Sequence, residues 1–117
     1  MKGRPLYRRF LFAWQGLVAA FVHEASFRTH LIAAVVAVGA TLWMRPPLVW
    51  TALVSVMICM VLAAELFNTA LEHALDGLHP EQAPFVRVAK DCAAGAVLVL
   101  SACAALVFVL MLAEVWG

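Results

Sequence analysis

The chain of 117 residues is 66% hydrophobic and only 13% charged, with a formal net charge of +1. Soluble domains contain about 45–50% apolar and about 25% charged residues, so this composition excludes a soluble domain and predicts an all-α integral membrane protein. A chain this short has no room for a separate soluble nucleotide-binding domain. We therefore expect a single membrane domain, residues 1–117, whose site is formed by its helices and connectors.

The first predicted element is an amphipathic surface helix over residues 5–27. Arginines and a glutamine interrupt an apolar stripe at helical spacing, made by Leu6, Phe10, Trp14, Leu17 and Phe21. This pattern is typical of a helix that lies in the membrane surface, where Trp14 would anchor at headgroup depth. A helix that packs on the other helices is the alternative left open.

Three apolar runs predict three transmembrane helices after the surface helix. The first span is expected over 29–45 and ends before Pro46, because proline cannot continue a helix. The second is expected over 48–76, with Gly77 as a left-handed cap. It exceeds the bilayer by about two turns, so its end extends into water. The third, expected over 85–114, contains the longest uncharged run.

The distribution of cations predicts the orientation of these spans. Cytoplasmic segments are enriched in lysine and arginine. Only Arg45 lies in the first connector, whereas the other seven of the eight cations precede the first span or separate the second from the third, namely Lys2, Arg4, Arg8, Arg9, Arg28, Arg87 and Lys90. We therefore expect a cytoplasmic N-terminus and a C-terminus on the opposite side.

Polar residues collect at the predicted cytoplasmic end of the second span. Glu65, Asn68, Glu72 and Asp76 recur at steps of three and four residues, which places them on one face of a helix. Ionisable groups at a bilayer edge carry a cost in free energy, and a carboxylate cluster facing the cytoplasm suits a metal nucleotide. The alternative is that Glu65 and Asn68 only form hydrogen bonds between subunits.

The cysteines and histidines give no metal-binding signal. Cys59, Cys92 and Cys103 lie in or beside apolar runs without metal-ligand spacing, so we expect them to be packing residues. Surface or packing roles are likewise expected for the four histidines, His23, His30, His73 and His79. No secretory signal peptide is evident, because the basic start is not followed by an uninterrupted apolar core.

An ordered set of motifs is similar to the prokaryotic diacylglycerol kinase family, which includes undecaprenol kinases. The set comprises Glu65-Leu-Phe-Asn68-Thr69-Ala-Leu-Glu72, then Asp76, then Lys90-Asp91 followed by Cys-Ala-Ala-Gly95. Glu24-Ala-Ser-Phe27-Arg28 resembles the family's other signature, near the first span. The similarity extends over nearly the whole chain.

This resemblance implies a homotrimer in the bacterial cytoplasmic membrane that transfers the γ-phosphoryl group of ATP to the primary hydroxyl of a lipid. Glu65 would be the general base, and Glu24 and Glu72 would hold Mg²⁺ on the phosphates. The nucleotide would be contacted by both of these acids and by Asn68, Glu81, Lys90 and Asp91. Asp76 would support the polar face, and the lipid would contact Trp14, Phe27 and Arg28. The family forms each site between neighbouring subunits.

The chain departs from the family pattern near Trp14. Phe12 and Ala13 precede this tryptophan and Gln15 follows it, where many family members have Tyr-Ser and lysine. A nucleotide contact from this segment is therefore left unassigned. The residues after Phe27 and Asp91 are somewhat closer to the undecaprenol kinases, so diacylglycerol and undecaprenol both stay open as substrates.

Two other classes of function are weighed against the lipid kinase. A small transport or proton-relay subunit would also place carboxylates in a membrane, but near mid-bilayer and without a need for Lys90. A non-catalytic assembly protein would need no metal site. Within those readings Lys90 and Asp91 are a charge pair at a helix start, and Glu81 is a solvated loop residue.

Overall fold

The computed structural model describes Gly3 and residues 5–117, which form four α-helices. The helices are α1 (Leu6–His23), α2 (Ala25–Met44), α3 (Leu48–Leu78) and α4 (Pro84–Trp116). Three of them, α2 to α4, are long and apolar enough to cross a membrane. The architecture agrees with the expected all-helical membrane protein.

A single residue separates α1 from α2. Glu24 has extended backbone angles (φ −113°, ψ 106°), and its N–H still bonds to the carbonyl of Ala20. The guanidinium of Arg28 donates hydrogen bonds of 2.8 and 2.9 Å to the carbonyls of Phe21 and Val22. These bonds occupy carbonyls that the end of α1 leaves free, so Arg28 fixes the corner between the two helices. The surface helix predicted over 5–27 thus corresponds to a helix that ends at His23.

The connector between α2 and α3 spans residues 45–47. Arg45 closes α2 in the left-handed conformation (φ 51°), with its N–H bonded to the carbonyl of Thr41. Pro46 and Pro47 then prevent the helix from continuing and start α3 at Leu48. The short connector makes α2 and α3 adjacent and antiparallel.

The end of α3 differs from the sequence prediction. The helix continues through Gly77 to Leu78, and His79 is the capping residue. The predicted left-handed cap at Gly77 is wrong, because this glycine keeps helical geometry. Its helical bonds outweigh the entropy that a glycine loses in a helix. With 31 residues, α3 is about 46 Å long and exceeds a bilayer core of about 30 Å.

The packed interior follows one face of α3. Val54, Met57, Val61 and Glu65 are its buried residues, at steps of three and four. Helix α4 packs along α3 and contributes the fully buried Met111, and α2 also packs on α3. The carboxylate of Glu65 therefore ends a buried apolar row, and the polar residues predicted to share its face continue the same row.

The far end of the bundle, opposite this polar row, carries a tryptophan cluster. The indole N–H of Trp50 donates a 2.7 Å hydrogen bond to a carboxylate oxygen of Glu114, which joins the start of α3 to the end of α4. Trp43 and Trp116 meet edge to face, with ring centroids 6.4 Å apart. These contacts join α2, α3 and α4 at this end.

Candidate functional site

Glu65 is the centre of the candidate site. Glu65 is only 2% exposed, and among the described residues Thr41 is the other polar residue that is buried. The hydroxyl of Ser26 donates a 2.7 Å hydrogen bond to Oε1 of Glu65. Nδ1 of His30 lies 2.5 Å from the same oxygen. Two residues one turn apart on α2 therefore hold the carboxylate from one side.

His30 connects Glu65 to α4. Its Nε2 lies 3.3 Å from the hydroxyl of Ser101. Nδ1 of His30 and Oε1 of Glu65 are within ion-pair distance, but the Nδ1–H is not aligned for a hydrogen bond to Oε1. In the described part of the chain, Nδ1 has no other hydrogen-bond partner. A carboxylate, an imidazole and a hydroxyl thus follow one another across α3, α2 and α4.

An apolar cavity of about 440 Å³ lies beside this row of polar groups. Residues of α2, α3 and α4 form its wall, and His30 and Ser101 are the polar side chains among them. Alanine and valine of α2 face Val54, Val61 and Phe108 across it. A long apolar chain fits such a cavity, with its polar end towards His30 and Ser101.

The predicted polar face of α3 is present beyond Glu65. The side-chain amide of Asn68 donates a 3.0 Å hydrogen bond to Glu72, one turn further along. The other amide atom, Oδ1 of Asn68, is buried without a hydrogen-bond partner in the described residues. The amide therefore keeps one acceptor free for a further donor at this position.

The structure does not bring the predicted metal ligands into one cluster within the protomer. Glu24, at the corner between α1 and α2, has a carboxylate oxygen 3.7 Å from Nε2 of His73 on α3. Glu72 is turned to Asn68 instead. Among Gly3 and residues 5–117, no group of three or more histidine, cysteine or acidic side chains could hold a metal ion.

A second, polar cleft lies at the start of α4. Its volume is about 420 Å³, and its lining includes Arg87, Lys90 and Asp91. The ammonium of Lys90 is 2.6 Å from a carboxylate oxygen of Asp76, so the end of α3 is tied to α4 beside the cleft. Two cations beside the N-terminal end of a long helix favour an anion such as a phosphate. Glu81, in the preceding connector, is exposed.

The residues predicted to contact lipid are divided between surface and interior. Trp14 is exposed on α1, and Phe27 is buried with only 3% exposure. The guanidinium of Arg28 donates its hydrogen bonds to two carbonyls at the end of α1. Phe12, Ala13 and Gln15, which differ from the family pattern, lie beside Trp14 in the sequence of α1. This helix ends next to Glu24.

Sequence reasoning missed the contacts of Ser26 and His30 with Glu65 and of Ser101 with His30. The histidines were expected to have packing or surface roles, and Ser26 and Ser101 were given no role. A usable signal was present, since Ser26 and His30 are four residues apart and share a face of α2. The partner of that face could not be identified without the packing of α2 on α3.

Comparisons with known proteins identify the family of the chain. Residues 11–112 match the family described as prokaryotic diacylglycerol kinase. A diacylglycerol kinase of Synechocystis is 34% identical over 99 residues, which cover 84% of this chain and 57% of the relative. A diacylglycerol kinase of Escherichia coli K12 is 28% identical over 106 residues, or 91% and 87% of the two chains. An undecaprenol kinase of Bacillus subtilis is 28% identical over 95 residues, or 81% and 77%. The match thus spans little more than half of the cyanobacterial protein and most of the other two.

Proposed function

Because the chain belongs to the prokaryotic diacylglycerol kinase family, we propose that it is a lipid kinase of a bacterial membrane. It transfers the γ-phosphoryl group of ATP to the primary hydroxyl of a membrane lipid. Diacylglycerol, which would give phosphatidic acid, is the first choice of substrate, and undecaprenol is the second. The observation that carries this proposal is the buried carboxylate of Glu65, which lies beside an apolar cavity and at the start of a polar helix face.

Glu65 is the general base in this proposal. The lipid oxygen forms a bond to the γ-phosphorus, the bond from that phosphorus to the bridging oxygen of ADP breaks, and the hydroxyl proton moves to Glu65. A positioned base of this kind contributes about 10²–10⁴-fold to a rate. Ser26 supports the role, because its hydrogen bond to Oε1 fixes one carboxylate oxygen.

The nucleotide is proposed to bind at the polar cleft and the free end of α3. Lys90 and the start of α4 supply positive potential for the phosphates, with Asp91 on the same wall and Asp76 holding the Lys90 ammonium in place. Asn68 offers its unpartnered amide oxygen. Glu81, exposed in the connector, completes the set of nucleotide contacts carried over from the family resemblance.

Magnesium is the cofactor implied by this chemistry. Glu24 and Glu72 would hold it, and carboxylates combined with phosphate oxygens are the ligands that this ion uses in kinases. When bound, the ion neutralises charge on the phosphates. The two acids orient the nucleotide relative to Glu65, which lies about two turns before Glu72 on α3.

We further propose a homotrimer whose sites are shared between neighbours, with Glu24 and Glu72 contributed by different subunits. Within the protomer, Glu24 lies near His73 and Glu72 accepts a hydrogen bond from Asn68, and these separate partners support sharing. The distribution of lysine and arginine supports a cytoplasmic N-terminus and a C-terminus on the opposite side. Under this orientation α1 lies on the cytoplasmic surface, with Trp14 among the headgroups.

Purified protein in detergent, supplied with labelled ATP, magnesium and either lipid, tests the proposal. Label should enter diacylglycerol or undecaprenol, and competition between the two identifies the preferred acceptor. Folded protein that labels neither lipid would contradict the kinase and favour the transport or assembly functions.

A further inference from the structure

We infer that His30 relays the proton from the lipid hydroxyl to Glu65. The inference rests on the proposed lipid kinase function and adds a residue to its site. It begins from a difference between the two side chains. Glu65 is almost completely buried and is absent from the wall of the apolar cavity, whereas His30 is part of that wall.

The two ring nitrogens of His30 face two different groups. Nδ1 is 2.5 Å from the carboxylate of Glu65, and Nε2 is 3.3 Å from the hydroxyl of Ser101. The imidazole therefore stands between the buried acid and the cavity. A neutral imidazole has one N–H donor and one nitrogen acceptor, which suits a group that receives a proton on one side and gives one on the other.

The cavity indicates which group meets Nε2. Apart from His30 and Ser101, its lining is apolar, so a lipid with an acyl or isoprenyl chain places its hydroxyl at these two residues. Ser101 already shows that a hydroxyl reaches Nε2. The lipid hydroxyl takes the place of the serine hydroxyl in the reacting complex.

The relay moves two protons in one direction. The relay requires the His30 ring to turn so that its Nδ1–H points at Oε1 of Glu65, an atom that already lies 2.5 Å from Nδ1. As the lipid oxygen bonds to the γ-phosphorus, its proton passes to Nε2 of His30 and the Nδ1 proton passes to Oε1 of Glu65. The imidazole is neutral before and after the step, Glu65 gains one proton, and ADP leaves with the electrons of the broken phosphorus–oxygen bond. Ser26 keeps its hydrogen bond to Oε1 and holds the carboxylate in register.

Substitution of His30 separates a relay from a packing role. In His30→Gln, an amide replaces the ring and cannot pass a proton on, so we expect kcat for lipid phosphorylation to fall about 100-fold while KM for ATP stays unchanged. In His30→Ala, added imidazole should enter the adjacent cavity and restore kcat by roughly tenfold or more. His23→Gln and His23→Ala are the matched controls, because His23 is exposed at the end of α1, and imidazole should have no effect on them.

A measurement on the unmodified protein tests the relay even if the His30 variants fail to fold. In single-turnover phosphoryl transfer, the rate should fall along a curved line as the fraction of D₂O increases, because two protons move together. A linear decrease, or none, would overturn the relay. So would His30→Gln with the wild-type kcat, or folded His30→Ala that does not respond to imidazole.

Failure of the relay is distinguishable from failure of the kinase. Wild-type protein that phosphorylates lipid while His30→Gln does so equally well rejects the relay alone. Wild-type protein that phosphorylates neither lipid rejects the proposed function and the relay with it.

Discussion

Ser26 and Glu65 are 39 residues apart in sequence, and the serine hydroxyl donates a 2.7 Å hydrogen bond to the glutamate. The bond fixes one oxygen of a carboxylate that has almost no contact with solvent. Ser26→Ala should lower kcat by about tenfold, a loss of about 1.4 kcal/mol, because the carboxylate loses its neutral donor. Ser26→Thr should retain activity. Ser55→Ala is the control, since the hydroxyl of Ser55 donates its hydrogen bond to the Thr51 carbonyl of its own helix.

Glu65→Gln removes the proposed base with little change in shape. We expect lipid phosphorylation to fall by about 10²–10⁴-fold, while ATP binding measured by calorimetry is retained. Glu114→Gln changes an acid at the far end of the bundle and should leave the rate unaltered. Equal losses in both variants would indicate a general effect of removing a charge instead of a role for Glu65.

Glu72→Gln tests the proposed magnesium ligand. The amide still accepts a hydrogen bond from Asn68 but binds the ion less strongly, so half-maximal activity should require roughly tenfold more magnesium, or about 1.4 kcal/mol. The measurement is a magnesium titration at constant nucleotide. An unchanged titration curve with a lower maximal rate would assign Glu72 to another step.

Lys90→Met separates nucleotide binding from stability. The ammonium bridges to Asp76 at a site with partial solvent exposure, so the pair contributes only about 0–1 kcal/mol and the melting temperature should change little. KM for ATP should increase by roughly tenfold, because a phosphate loses its charged partner. Lys90→Arg should recover most of the affinity. A large loss of stability in Lys90→Met would show that the residue mainly joins α3 to α4.

Trp50→Phe tests the far end of the bundle, away from the site. It removes the indole N–H that bonds to Glu114 but keeps an aromatic ring, and should lower the free energy of unfolding in detergent by about 1–2 kcal/mol. Trp43→Phe, which keeps an edge-to-face ring contact with Trp116, should cost less. Neither variant should change KM for ATP.

Periodicity was sufficient to predict that there are four helices, but the boundary between the first two was predicted at residues 27–29, whereas the structure has it at Glu24. Pro46 and Pro47 end α2 through local sterics alone, and the polar face of α3 follows from spacing. Gly77 was predicted to end α3 but lies within it. A glycine is permitted at a cap without being required there, and the helix continues to Leu78.

Less of the site was predictable, because its contacts join different helices. The shared face of Glu65, Asn68, Glu72 and Asp76 could be predicted, because it depends only on their spacing within α3. The contacts of Glu65 with Ser26 and His30, and of His30 with Ser101, depend on how α2 and α4 are rotated against α3. Nothing in the local sequence of α2 fixes this rotation, since its apolar residues surround the helix on all sides.

The tryptophan cluster joins the three long helices at one end of the bundle. Three features hold α2, α3 and α4 together at the end opposite Glu65. They are the Trp50–Glu114 hydrogen bond, the Trp43–Trp116 ring contact and the short turn at residues 45–47. Replacement of Trp43 or Trp50 should therefore loosen this end of the bundle and leave the hydrogen bond between Ser26 and Glu65 in place.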